Sequence, residues 1–155
     1  MELWLLLHIG SAFWFVAGLV GRDVTLARAR GADAMPTIQA LCATAGVFDR
    51  FMVTPGSMAV IVFGLILAVV GDYSFAANGW MLASLVLYLS VGVLVPLVYL
   101  PKGKVFEAAL EEAVETGTPT PAFRAAFEDR TVWATRWYER IVVAVIIVLM
   151  ITRPF

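Results

Sequence analysis

The sequence predicts an all-α membrane protein, a polytopic four-helix up-down bundle whose long helices extend into the cytoplasm while both termini face outward. Hydrophobic residues make up 61% of the chain and charged residues only 15%, whereas soluble domains average about half apolar and about a quarter charged. Four apolar stretches have the character of membrane spans, and the basic residues cluster in two of the connections. With 155 residues, we expect a single transmembrane domain, 1–155.

The four predicted spans are residues 3–21, 51–71, 80–100 and 133–152. The first three stretches contain no charged residue, which is typical of transmembrane helices. The fourth has to begin near Trp133, because the uncharged run Ile141–Thr152 covers only about 18 Å at about 1.5 Å per residue, against a hydrocarbon core of about 30 Å. The first stretch lacks a basic start and a small-residue cleavage pattern, so we expect a retained span and not a signal peptide.

The distribution of basic residues predicts the orientation. Ten of the eleven lysines and arginines lie between spans one and two or between span three and the uncharged part of span four. The short link between spans two and three has none, and only Arg153 follows the last span. Because basic residues accumulate in cytoplasmic connections, we expect a multi-pass protein of the bacterial inner (plasma) membrane with both long connections in the cytoplasm.

The two long connections are themselves predicted to be helical. The first helix can continue to a stop at Gly31, and a second can start near Pro36 and run into span two, with a bend at Pro55. In the other connection, Thr120 has the character of an N-cap before a helix that starts with proline. The preceding segment, "KVFEAALEEAVE", places apolar residues at a spacing of four, opposite a glutamate face: Val105, Ala109 and Ala113.

His8, the only histidine, lies inside the first span, and a polar group at this depth is a functional candidate. Helical spacing places it on one face with Phe15 and Gly18, and Trp14 on a neighbouring face. Small residues at this spacing let another helix or a flat cofactor approach closely. In one interpretation, His8 donates a hydrogen bond to a neighbouring helix or to interfacial water. In the other, His8, Trp14 and Gly18 bind a cofactor such as haem.

A second hypothesis for His8 is a metal site in the outer half of the membrane. The predicted topology brings Met81, at the start of span three, and Met150, at the end of span four, to the same depth as His8. Imidazole and thioether ligands suit haem iron or Cu(I). Packing is the alternative role for both methionines, and two chains could each supply one His8 for bis-histidine ligation.

A cluster of charges is predicted at the inner membrane boundary. In one interpretation these residues form interfacial ion pairs flanked by an aromatic belt of Trp133, Trp137 and Tyr138. In the other, Arg50 and Arg140 form a site for an anion or a quinone headgroup, or the entrance to a proton relay. The cluster consists of Arg22, Asp23, Asp49, Arg50, Arg136, Glu139 and Arg140.

Several function classes receive no support from the sequence. The net charge of −1 does not favour nucleic-acid binding, which needs an excess of clustered basic residues. Cys42 is the only cysteine, so neither an intrachain disulfide nor a CxxC metal site is expected. The motifs of hydrolases, P-loop proteins, zinc proteases and dinucleotide-binding enzymes are absent.

The opening stretch "LLLHIGSAFWFVAGLVGRD" resembles the first helix of small bacterial four-span membrane proteins. Two such families are the HemJ-type protoporphyrinogen oxidases and the copper-resistance D-type proteins. The first resemblance implies haem b on His8 and oxidation of protoporphyrinogen, and the second carries over only His8 and Trp14. The overall layout and the closing "VVAVIIVLMITRP" resemble a family of predicted integral membrane proteins classed as a domain of unknown function.

These observations predict a non-catalytic accessory or binding component of the membrane. Its expected partners are the lipid bilayer and either another membrane protein or further copies of the chain, without nucleic acid. The first alternative is a b-type haem protein with His8 as axial ligand, which as an enzyme would be a haem-dependent membrane oxidoreductase. The second alternative is a small transporter or copper-handling protein that uses His8, Met81 and Met150.

Overall fold

The computed structural model describes residues 1–73 and 78–154, and every regular element in these ranges is helical. The predicted link between spans two and three therefore lies partly outside the described residues. The all-α prediction is confirmed for the described chain. The elements are α1 (Glu2–Arg30), α2 (Met35–Phe48), the π-helical segment π1 (Asp49–Val53), α3 (Thr54–Val70), α4 (Gly79–Leu94), the π-helical segment π2 (Val95–Tyr99), α5 (Leu100–Thr116), α6 (Pro121–Phe127) and α7 (Arg130–Thr152).

The contacts divide the chain into two compact units, of which the first covers Met1–Tyr73 and the second is described from Asn78 to Pro154. The single-domain prediction stays a prediction. In the first unit, α1 packs against the continuous helix formed by α2, π1 and α3. Gly31 ends α1, and Pro36 lies in the first turn of α2, so both predicted boundaries of the connection are confirmed.

A π-helical turn precedes Pro55, the residue at which a bend is predicted. The N–H of Thr54 donates to the carbonyl of Asp49, five residues earlier. Pro55 has no N–H, so it cannot donate to the carbonyl of Phe51, four residues earlier. A single π-helical turn is one of the recognised causes of a helix distortion, and here it directly precedes the proline.

In the second unit, α4 packs against α7, and α5 packs against α6. The α5–α6 contact is aromatic, with the rings of Phe106, Phe123 and Phe127 between 5.3 and 5.7 Å apart. The predicted N-cap of α6 is confirmed, because the hydroxyl of Thr120 accepts a hydrogen bond of 3.2 Å from the Phe123 N–H.

The predicted apolar face of α5 is only partly correct. Ala109 and Ala113 are buried as expected, but Val105 is 59% exposed. Phe106, the next residue, packs against α6 instead, and since adjacent helical residues point about 100° apart, Val105 is turned away from this contact.

Three continuous helices in the described chain are long and apolar enough to cross a membrane: Glu2–Arg30, Met35–Val70 and Gly79–Thr116. The first has 29 residues and is about 44 Å long at about 1.5 Å per residue, so it extends beyond a hydrocarbon core of about 30 Å. The predicted fourth span belongs to α7, whose first half carries Arg136, Glu139 and Arg140. The four-span bundle and its orientation stay predictions.

Candidate functional site

The first unit is held together by glycines at the contact between α1 and the helix that runs through π1 and α3. A Cβ atom added to Gly18 would lie 2.6 Å from the Cβ of Met52, and one added to Gly56 would lie 3.0 Å from the Cα of Phe15. Small residues allow membrane helices to approach closely and gain van der Waals contact. The structure thus shows that the predicted face with Phe15 and Gly18 is covered by a neighbouring helix.

His8 lies on this same face and joins the two helices. Its Nδ1 atom is 3.0 Å from the carbonyl oxygen of Val60, and a Cβ atom on Gly64 would lie 3.0 Å from its Cε1 atom. A carbonyl oxygen can only accept, so Nδ1 must donate and therefore carries the proton. In the neutral ring, Nε2 then has the lone pair.

Trp14 makes the second polar contact between the helices of this unit. Its indole N–H donates to the carbonyl oxygen of Phe51 at 3.1 Å. This is the carbonyl for which Pro55 has no N–H to donate, so the indole supplies a hydrogen bond that the proline removes. The predicted role of His8, Trp14 and Gly18 in cofactor binding stays a prediction.

An open groove of about 390 Å³ runs along this contact, and we call it the α1–α3 groove. Its two polar side chains already donate to backbone carbonyls, since the Ser11 hydroxyl donates to Leu7 at 2.7 Å and the Trp14 indole donates to Phe51. The other lining residues are apolar or glycine. The groove is lined by Leu6, Leu7, Gly10, Ser11, Trp14, Phe51, Pro55, Gly56 and Ala59.

Three members of the predicted charge cluster contact one another in the first unit: Arg22, Asp23 and Asp49. This arginine is only 4% exposed and forms ion pairs with Asp23 at 3.1 Å and with Asp49 at 3.2 Å. Arg22 belongs to α1 and Asp49 to π1, so their ion pair joins these two elements. Removal of the carboxylates would leave the buried charge of Arg22 uncompensated, which is costly. Arg50 is exposed, and its guanidinium carbon lies 5.8 Å from the centre of the Phe51 ring.

The remaining members of the cluster lie on α7 in the second unit. Glu139 is 4% exposed and accepts a hydrogen bond of 3.1 Å from the hydroxyl of Tyr99 in π2. The guanidinium of Arg140 lies 4.8 Å from the centre of the Trp137 ring, a cation–π distance. Tyr99 carries no sequence signal for this role, because a tyrosine at the end of a span is typical of the aromatic belt.

The two predicted methionine ligands both lie in the second unit. Met81 is buried in the first turn of α4, and Met150 is half-buried near the end of α7. No cluster of three or more His, Cys, Asp or Glu side chains able to hold a metal occurs among the described residues. The set of His8, Met81 and Met150 stays a prediction.

A polar contact that the sequence analysis missed joins the start of α7 to α5. Asp129 caps α7 by accepting hydrogen bonds from the N–H groups of Thr131 and Val132, and the ammonium of Lys102 donates to it at 2.8 Å. The Lys102 hydrogen bond is the main reason why the pKa of the Asp129 carboxyl lies below its ordinary value, with the backbone donors acting in the same direction. An aspartate just before a helix is a readable sequence signal for such a cap.

Comparison with known proteins adds one positive finding. No curated protein and no solved structure matches the chain. The profile of a family described as predicted integral membrane proteins, DUF2269, matches residues 2–154, which confirms the resemblance noted for the overall layout. Such a protein sits in a lipid bilayer, in agreement with the three apolar helices. With nearly its whole length matched, the chain belongs to the DUF2269 family of predicted integral membrane proteins.

Proposed function

We propose that the chain is a non-catalytic accessory component of the membrane that assembles with another membrane protein or with further copies of itself. One observation carries the proposal: His8 and Trp14, two polar side chains in the apolar part of the first unit, both donate to backbone carbonyls of the opposite helix. An acid–base or nucleophilic group has to point at a substrate. Donors that point at a helix backbone instead fasten one helix to another.

Affinity purification from native membranes in a mild detergent tests this role. We expect the tagged chain to elute in a complex larger than one copy, with either a stoichiometric membrane protein or a second copy that chemical cross-linking captures. A folded, monodisperse single chain without a partner would contradict the proposal. His8→Ala separates assembly from internal packing. We expect this variant to be less stable than wild type but still to co-purify with the partner.

The proposal includes the topology of four spans in the bacterial inner membrane with both long connections in the cytoplasm. The arginine distribution supports it, as does the aromatic pair Trp133–Trp137, with ring centres 6.1 Å apart, in the part of α7 expected at the membrane boundary. After Cys42→Ser, Asn78→Cys should react with an impermeant maleimide added to whole cells, whereas Ala32→Cys should react only after lysis. The reverse labelling pattern would overturn the orientation.

A b-type haem protein is the second candidate, and the tautomer of His8 favours it. Histidines that ligate metals generally donate their other ring N–H to a carbonyl or carboxylate, and His8 does so toward Val60, which leaves Nε2 for an axial position. Bound haem would supply one-electron redox chemistry. A Soret band in the purified protein, lost in His8→Ala and kept in Gly10→Ala, would support this candidate. A colourless, folded protein would exclude it.

A further inference from the structure

The α1–α3 groove has the dimensions and chemistry of a site for a lipid chain. On each helix it runs over eight residue steps, from Leu6 to Trp14 and from Phe51 to Ala59, which is about 12 Å at about 1.5 Å per residue. One leaflet is half of a hydrocarbon core of about 30 Å. The groove is therefore a little shorter than one leaflet is thick, and long enough to hold part of an acyl chain.

The polar atoms in the groove argue against a ligand that needs hydrogen bonds along its length. The hydroxyl of Ser11 and the indole of Trp14 each donate to a backbone carbonyl, so neither donor is available to a quinone carbonyl without breaking a contact inside the protein. Gly10 leaves open space, with nothing within 4 Å of an added Cβ. An alkyl chain satisfies such a surface by van der Waals contact alone.

One end of the groove carries a positive charge at the membrane boundary. Phe51 closes this end, begins the charge-free run 51–71, and has the Arg50 guanidinium 5.8 Å from its ring centre. Asp49, the neighbouring acid, contacts the buried Arg22 at 3.2 Å, an arginine that it shares with Asp23. On the proposed topology Arg50 lies at the level of the lipid headgroups, where a basic side chain attracts anionic lipid.

We infer that the first unit binds one anionic phospholipid, with an acyl chain in the α1–α3 groove and the phosphate beside Arg50. This inference goes beyond the proposed accessory role and rests only on the proposed topology, which places Arg50 at the membrane boundary. The charge of Arg50 selects the headgroup, and the space beside Gly10 accepts the chain. These two parts can be changed separately.

Native mass spectrometry of the full chain, titrated with palmitoyl-oleoyl phosphatidylglycerol or phosphatidylethanolamine, tests the site. We expect wild type to bind phosphatidylglycerol more tightly. Arg50→Gln should weaken this binding about fivefold, the factor that corresponds to about 1 kcal/mol for one basic residue near an anionic surface. Arg28→Gln, which removes an exposed charge from α1 outside the groove, is the matched control and should leave the affinity unchanged.

The groove itself is tested by filling it. Gly10→Leu places a side chain into the open space and should abolish binding of both lipids, whereas Gly46→Leu, at another glycine with nothing within 4 Å but outside the groove, should bind as wild type does. Thermal melting in detergent verifies that all four variants fold.

Three results would overturn the inference. These are equal affinity of wild type for the two lipids, equal effects of Arg50→Gln and Arg28→Gln, and undiminished lipid binding by Gly10→Leu. A quinone that co-purifies with wild type but not with Gly10→Leu would assign the groove to another ligand and would overturn the inference as well. None of these results alters the test of the accessory role, which depends on a protein partner.

Discussion

The two units of this chain hold their helices together in different ways. In the first unit, Gly18 and Gly56 bring the helices so close that an added methyl group would collide with the opposite helix. In the second unit, Gly92 and Gly103 have nothing within 4 Å of an added Cβ. Side-chain contacts such as Tyr99–Glu139 join its helices, as those of His8 and Trp14 also do in the first unit. One short membrane chain therefore uses both close backbone approach, at the glycines of its first unit, and side-chain hydrogen bonding.

The strongest test of this difference replaces one glycine in each unit by leucine. Gly18→Leu forces a side chain into a gap in which even a Cβ would lie 2.6 Å from Met52, so we expect a loss of about 3 kcal/mol of unfolding free energy, the upper end for overpacking. Gly92→Leu, at an exposed position, should leave the stability unchanged or raise it, because glycine is a poor helix former. Equilibrium unfolding with SDS in detergent micelles measures both, and equal losses would remove the contrast.

The second test concerns the hydrogen bonds of the second unit. Tyr99→Phe removes the donor to the buried carboxyl group of Glu139, and we expect a loss of about 1.5–2 kcal/mol, as for bonds to charged groups. Tyr138→Phe is the matched control, since within residues 1–73 and 78–154 this exposed hydroxyl meets only the hydroxyl of Ser90, and the change should cost about 0.5 kcal/mol. The same SDS titration would refute the assignment if Tyr138→Phe had the larger effect.

A third test returns to the proline of the first unit. Trp14→Phe removes the donor to the Phe51 carbonyl and should cost about 1 kcal/mol. In a Pro55→Ala background the same change should cost less, because an alanine supplies an N–H of its own for that carbonyl. A double-mutant cycle measures the coupling, and strictly additive effects would show that the indole does not compensate for the proline.

The smallest expected effect is the pH dependence conferred by Asp129. Lys102 holds the pKa of this carboxyl below its ordinary value, so its stabilisation is complete above the ordinary aspartate pKa of about 3.9 and is lost as the pH falls through the lower folded value. Asp129→Asn keeps the cap but removes this dependence, so wild type and variant should converge in stability toward pH 3. Asp33→Asn, at an exposed position in the other unit, is the control and should run parallel to wild type.

The sequence predicts the parts of this fold that depend on local chemistry. Thr120 marks a helix boundary because its hydroxyl accepts a hydrogen bond from an orphan backbone N–H. Gly31 marks another because glycine is a poor helix former and is enriched just past helix ends. The face of α1 that carries Phe15 and Gly18 is readable from helical spacing alone. A distortion near Pro55 is also predictable, although its π-helical form is not, since proline removes one hydrogen bond without determining how the chain rearranges.

The partners of the candidate site residues could not be predicted. His8 and Trp14 both donate to backbone carbonyls, and since every residue has a carbonyl, no residue type reveals where the partner lies. Val105 was expected on the apolar face of α5 because spacing by four cannot distinguish it from Phe106, whose larger ring takes the contact. The packing of the folded chain decides which of two adjacent residues makes the contact.

The glycine contacts also restrict how this chain can change in length. These contacts extend along α1 from His8, whose ring lies against Gly64, to Gly18, which lies against Met52. One additional residue between His8 and Gly18 would rotate the contacts on one side of the insertion by about 100° relative to those on the other side. Larger side chains would then occupy the positions at which the glycines now allow the two helices to touch. We therefore expect homologous chains to differ in length in the turn 31–34, while deletions and insertions within these two helices are eliminated as non-viable.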